Sequence, residues 1–142
     1  MKNIHKVEFK PGTKEELLPD FSPAFPCVTS CVEIDRHIGK TAPWHWHRAV
    51  ELFYIESGGA LEYNTLSHVM AFPAGSGGFV NSNVLHMTRP YAGQRDNRQL
   101  LHIFDPSFIS GGQGTRMEQR YVLPLISASQ VEILPLFPED PA

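Results

Sequence analysis

Between Cys27 and Phe104 the chain consists of short apolar pieces, each cut off by turn residues, and this punctuation limits the fold more than any other feature. Cys27 to Asp35 alternates and is rich in β-branched residues. Trp44 to His47, Glu51 to Glu56, Ala60 to Tyr63, His68 to Phe72, Gly78 to Asn81, Leu85 to Arg89 and Gln99 to Phe104 follow, separated by Ser57-Gly58-Gly59, Asn64, Pro73-Ala74-Gly75, Ser82-Asn83 and Pro90. Many short strands at a spacing of roughly ten residues predict an all-β sandwich or barrel.

The flanks read differently. Residues 1–26 carry Pro11, Pro19, Pro23 and Pro26, which break any long element, so this stretch is expected to be an N-terminal arm, with Phe21 and Phe25 available to anchor it. The barrel is assigned to residues 27–109 and a short helical tail to 110–142. In the tail, Thr115 to Leu123 holds helix formers and is expected to stop near Pro124, and Ser127 to Leu136 could begin a second helix. Pro138 to Ala142 reads as a linker.

Apolar residues make up 42% and charged residues 19%, the balance of a soluble globular chain. Net charge is −3 and no segment concentrates Lys or Arg, which argues against direct binding of nucleic acid. The longest run of large apolar residues, Leu52-Phe53-Tyr54-Ile55, is far short of the roughly 20 needed to span a bilayer. No secretory signal is visible, so a cytoplasmic protein without membrane partners is expected. Cys27 and Cys31 lack redox or zinc spacing and read as small apolar residues in a reducing compartment.

The chemistry lies in two segments. The first, Gly39 to Gly58, has the spacing G-x5-H-x-H-x3-E-x6-G. His45 and His47 are two apart and share a strand face, and a turn at Arg48-Ala49-Val50 can return Glu51 beside them. The second runs from Gly75 through Asn81 and Asn83 to His86. Three imidazoles and a carboxylate form a ligand set for a divalent metal such as Zn, Ni, Fe, Mn or Co, which the fold itself does not require. The alternative is a polar pocket that holds an organic ligand without metal, because such groups are costly to bury unpaired.

The first segment matches the first cupin motif at every fixed position. The second resembles the second cupin motif at Gly75 and His86, and departs from it at Asn81, Asn83 and Pro90. A narrower resemblance runs through His45-Trp46-His47, Glu51 to Ile55, Phe79 to His86, Phe104-Asp105-Pro106 to Ile109, and Tyr121 to Leu125. It looks like the N-terminal effector-binding domain of AraC-type transcription regulators. The resemblance implies a cupin double-stranded β-helix with an arm and one or two short C-terminal helices. It also implies a small polar effector such as a sugar, a homodimer, and DNA contact only through a C-terminal domain that this chain lacks.

On that resemblance the expected function is an effector sensor and not an enzyme, the alternative being a metal-dependent cupin enzyme of dioxygenase or sugar-isomerase type. His45, His47, Glu51 and His86 are the candidate metal ligands. Phe53 shares strand parity with Glu51 and could floor the pocket, core packing being as natural a role. Asn81 and Asn83 just before His86 are candidate ligand contacts, though such residues most often serve turns. His102 is a candidate donor, against an ordinary core or surface position. Trp44 and Trp46 have the opposite parity to the histidines and are expected outside the barrel or at an interface. His5 and His68 carry no pattern.

Overall fold

The computed structural model describes residues 1–140. Pro141 and Ala142, the end of the expected linker, lie outside the described residues. The strands are β1 (Lys2–Ile4), β2 (Cys27–Val32), β3 (Ala42–His45), β4 (Val50–Ser57), β5 (Leu61–Thr65), β6 (Val69–Phe72), β7 (Gly77–Val80), β8 (His86–Pro90), β9 (Arg98–Phe104) and β10 (Ile133–Leu136). They form a six-stranded sheet in the order β1-β2-β9-β4-β7-β10 and a four-stranded sheet in the order β3-β8-β5-β6. Apart from the parallel β1–β2 pair, neighbours in both sheets run antiparallel. Two such sheets face to face bear out the all-β reading of the punctuation and make the double-stranded β-helix that the resemblance implied.

Period-two alternation aims the site. On β4, Glu51, Phe53 and Ile55 are buried while Tyr54 and Glu56 are exposed. Because the side-chain period is two, a one-residue slip would turn Glu51 out to solvent and Leu52 in. The core between the sheets is built from Val32, Ile34, Phe53, Ile55, Leu61, Tyr63, Phe72 and Val80. Its centre is aromatic: Phe53 stacks on Tyr63 at 4.0 Å between centroids, and Phe72 meets both rings edge-on. Gly78 makes room for this packing, since a Cβ there would lie 2.6 Å from the Phe53 ring.

Several local expectations are corrected. Ser127 to Leu136 does not begin a helix; it delivers β10, an edge strand paired with β7. Pro135 is tolerated there because an edge strand has a free side that needs no N–H. The helix before it ends at Ile126, near Pro124 as expected, but it is not regular. It widens into a π turn over Glu118–Val122 and continues as α2 (Leu123–Ile126), and the wide turn relieves the missing N–H and the crowding that proline brings. A further short helix, α1 (Ser107–Ser110), precedes it. Asn64 is not a turn: β5 runs on to Thr65, and Asn64 Nδ2 donates to Glu62 Oε1 at 2.8 Å.

The arm is more structured than its prolines suggest. β1 adds to the edge of β2, Ile4 and Val7 pack against the core, and residues 9 to 16 bridge back on themselves and onto Trp46. Of the expected anchors, Phe21 is half-buried while Phe25 stays 60% exposed and meets Phe108 edge-on. Cys27 and Cys31 are free thiols on β2, whose other face (Val28, Ser30, Val32) looks into the barrel. No helix among the described residues is long and apolar enough to cross a membrane.

Candidate metal centre

His45 ends β3, His47 sits in the connection that follows, Glu51 is the second residue of β4, and His86 opens β8 directly opposite His45. The structure brings all four together, each offering one donor atom, with these atoms within 4.8 Å of one another. His47 Nε2 lies 3.4 Å and His86 Nε2 3.6 Å from Glu51 Oε2. All four side chains are buried, at most 5% exposed.

The backbone orients each imidazole in the same way. The Nδ1 atoms of His45, His47 and His86 lie 2.6, 2.9 and 2.9 Å from the carbonyls of Pro43, Ala49 and Val84. A carbonyl only accepts, so each Nδ1 must carry the proton and donate it, leaving Nε2 as the lone-pair atom turned to the centre. This is how protein metal sites fix the tautomer of a liganding histidine. His86 Nε2 is buried without a hydrogen-bond partner, a costly arrangement that a cation would relieve. Bonds of about 2.1 Å place tetrahedral donors roughly 3.4 Å apart and opposed octahedral donors about 4.2 Å apart, so the four need only a small inward movement. The residues therefore fit a divalent metal.

The four groups interact strongly with one another electrostatically. Burial and the neighbouring His86 push His45 down to about 3, so it stays neutral at physiological pH. Burial alone would raise the Glu51 carboxyl, but the His47 and His86 imidazoles outweigh it and hold the group below the ordinary carboxylate range. Burial would lower His47, but its contact with Glu51 wins and raises it above the usual imidazole value. Tyr63 Oη donates to Glu51 Oε1 at 3.1 Å and in turn accepts from Gln99 Nε2, so the carboxylate is held from behind.

His45, Glu51 and His86 face an inner cavity of about 40 Å³, walled largely by apolar residues of β2 and β9 such as Val28, Val32, Leu101 and Ile103. That is space for a few waters or one small group. His47 faces the other way, into an outer vestibule of about 410 Å³ with Lys10, Arg48 and Asp105 on its walls. Glu16 lines both spaces. Its Oε2 lies 3.9 Å from His45 Nε2, and burial raises its carboxyl to about 7. Sequence reasoning missed Glu16, Tyr63, Gln99 and His37. Strand parity could have found Tyr63, which alternates with Leu61, and Gln99, which alternates with Leu101. Glu16 comes from an irregular segment and left no periodic signal. His37, which also lines the inner cavity, precedes Gly39 in the connection to β3.

The other expected pocket residues lie elsewhere. Phe53 is not on the cavity wall; it is one layer below, stacked under Tyr63. His102 is on the outer face of β9, bonded to Thr29 Oγ1 at 3.1 Å, because its neighbours Leu101 and Ile103 take the inward parity. Asn83 is exposed in a tight turn at φ 61°, a left-handed conformation that Asn tolerates. Asn81 is buried, but its Nδ2 donates to Leu125 O and Val131 O at 2.9 and 3.0 Å, tying the C-terminal segment to the barrel. Asn81→Ala is expected to cost about 1 kcal/mol in chemical denaturation, because Val131 O loses this donor while Leu125 O keeps Ala128 N, and metal uptake is unchanged. Trp44 and Trp46 are half-buried and off the inner cavity, and His68 pairs with Glu132 at 3.1 Å.

No family model matches the chain, and no curated protein matches it. Solved structures do. A DMSP lyase, DddQ from Ruegeria pomeroyi, is 27% identical over 46% of this chain and 32% of its own, with a TM-score of 0.39. A cupin-2 domain containing protein from Shewanella frigidimarina is 16% identical over 59% of this chain and 72% of its own, TM-score 0.42. ToxT from Vibrio cholerae is 11% identical over 78% of this chain and 42% of its own, TM-score 0.46. The match thus spans about a third of the lyase chain. The fold itself is all-β, with two facing sheets and few short helices, the double-stranded β-helix that the resemblance implied. The expectation that the chain is no enzyme is corrected: the four buried donors form a candidate metal site, which does not favour a role in binding alone.

Proposed function

We propose that the chain is a metal-dependent cupin that acts on a small polar substrate at a divalent centre held by His45, His47, Glu51 and His86. The observation that carries this reading is the convergence of three Nε2 lone pairs and one carboxylate, each fixed by a backbone carbonyl or by Tyr63. When bound, the ion supplies Lewis-acid polarisation of a substrate oxygen. The apolar walls of the inner cavity exclude bulk water from the reacting face. The vestibule beside His47 is charged and roomy enough for a small polar molecule, and the inner cavity beside His45, Glu51 and His86 holds only a small group.

The test is elemental analysis of the purified chain for Zn, Ni, Fe, Mn and Co, followed by incubation of each metal form with small carboxylates and sugars under mass spectrometry. Near-stoichiometric metal and product formation, both lost in His47→Ala, are expected. A chain that holds no metal, or that binds a molecule without converting it, would sink the enzyme reading.

The second reading is the sensor, in which the same pocket holds an effector, the chain pairs as a homodimer, and DNA is contacted through a further domain. It is favoured by the segment after Phe104, where Met117, Tyr121 and Leu123 are 45%, 57% and 42% exposed beside an apolar crevice between the helices and the outer face of β4. Such a flank suits association more than catalysis.

A further inference from the structure

The segment from Glu8 to Leu17 forms a strap. Leu17 N donates to Glu8 O at 2.7 Å and Lys10 N to Glu15 O at 2.9 Å, closing the segment on itself. It is fastened to the barrel at Trp46: Glu16 N donates to Trp46 O at 2.9 Å, and Trp46 N donates to Lys14 O at 3.1 Å. Trp46 lies between His45 and His47, so the strap is laid along the segment that carries two of the four donors. From this seat Glu16 reaches inward. Its side chain is 11% exposed, and its Oε2 is buried without a hydrogen-bond partner. A buried carboxylate oxygen without a hydrogen bond is costly, and among the described residues only the His45 imidazole, 3.9 Å away, approaches it. Glu16 also stands in the wall shared by the vestibule and the inner cavity.

We propose that Glu16 is a fifth side chain of the centre, a positioning residue that latches the strap against the wall between vestibule and inner cavity when a divalent cation fills the four-donor site. The proposal rests on the metal reading above. Glu16 and Glu51 face the same cavity, and two carboxylates repel across it. A divalent cation turns that repulsion into attraction for both. The strap is held to β3 and the connection after it by few bonds, so the carboxylate decides how firmly it stays down.

Hydrogen exchange of the full chain, read by mass spectrometry over residues 10 to 18 with zinc and with chelator, tests this, with zinc content measured on the same samples. Zinc is expected to slow exchange of the strap by about tenfold in the wild type and by less than about twofold in Glu16→Ala. Glu16→Gln, which keeps the shape without the charge, serves where the alanine variant folds poorly and is expected to show less slowing than the wild type. Weaker zinc binding by either variant also supports the assignment. Full slowing in either variant, or a wild type that takes up zinc with no change in the strap, overturns the latch alone. A wild type that takes up neither zinc nor Ni, Fe, Mn or Co in its place overturns both the latch and the metal reading.

Discussion

Glu51→Gln is expected to abolish the thermal stabilisation that a divalent cation gives the wild type. Glu51 is the only anionic donor among the four, and its amide replacement keeps the volume but loses the charge and most of the basicity. An affinity loss of at least about 100-fold is expected, since even an outer partner of a metal ligand is typically worth 10- to 100-fold. At a cation concentration of about 100 times Kd the wild type gains about 2.7 kcal/mol, which corresponds to roughly 10 °C for a chain of this size. In chelator the two proteins should differ much less. There the carboxylate is a buried charge supported only by Tyr63 and the adjacent imidazoles, and removing it costs little beyond those contacts. Differential scanning fluorimetry with and without zinc checks this. Equal zinc shifts in both proteins would remove Glu51 from the site.

The second large effect falls one layer below. Phe53→Ala is expected to destabilise the fold by about 3 to 5 kcal/mol, a substantial fraction of the stability of a single domain. Phe53 is 4% exposed, stacked on Tyr63 and edge-on to Phe72, and it fills the space that Gly78 leaves open. Its neighbours are strand residues held by backbone ladders, so they cannot collapse into the void. Tyr63→Phe, by contrast, keeps the stack and removes the hydroxyl that braces Glu51. It should cost about 1 kcal/mol in stability and about tenfold in metal affinity. Denaturant melts and zinc titrations of the two variants separate packing from bracing. If Phe53→Ala were stable but lost its metal, Phe53 would belong to the pocket after all.

The donor set was legible in the sequence because its geometry is local. The period of two puts His45 and His47 on one side, a short turn returns Glu51, and the β4 alternation confirms its direction. His86 was legible only through the spacing of the second segment, since its seat opposite His45 is a cross-strand pairing. For His102 no parity argument was made; its neighbours Leu101 and Ile103 take the inward face, which leaves it in the ordinary position weighed against the donor role. Asn81 was misread for another reason. Its partners, the carbonyls of Leu125 and Val131, are 44 and 50 residues away, and no local pattern announces them.

By itself, then, the sequence determined the strand count to a first approximation, the all-β class, and the four side chains most suited to a metal. These follow from alternation and turn chemistry, which act over a few residues. Only the tertiary structure decided which polar groups stand around those four. Glu16 arrives on a strap pinned to Trp46, Tyr63 and Gln99 brace Glu51 from two different strands, and β10 closes the sheet where a helix had been expected. The physical reason is that each of these contacts depends on chain segments distant in sequence. Their energy comes from satisfying buried groups and unpaired strand edges, which exist only once the barrel has closed.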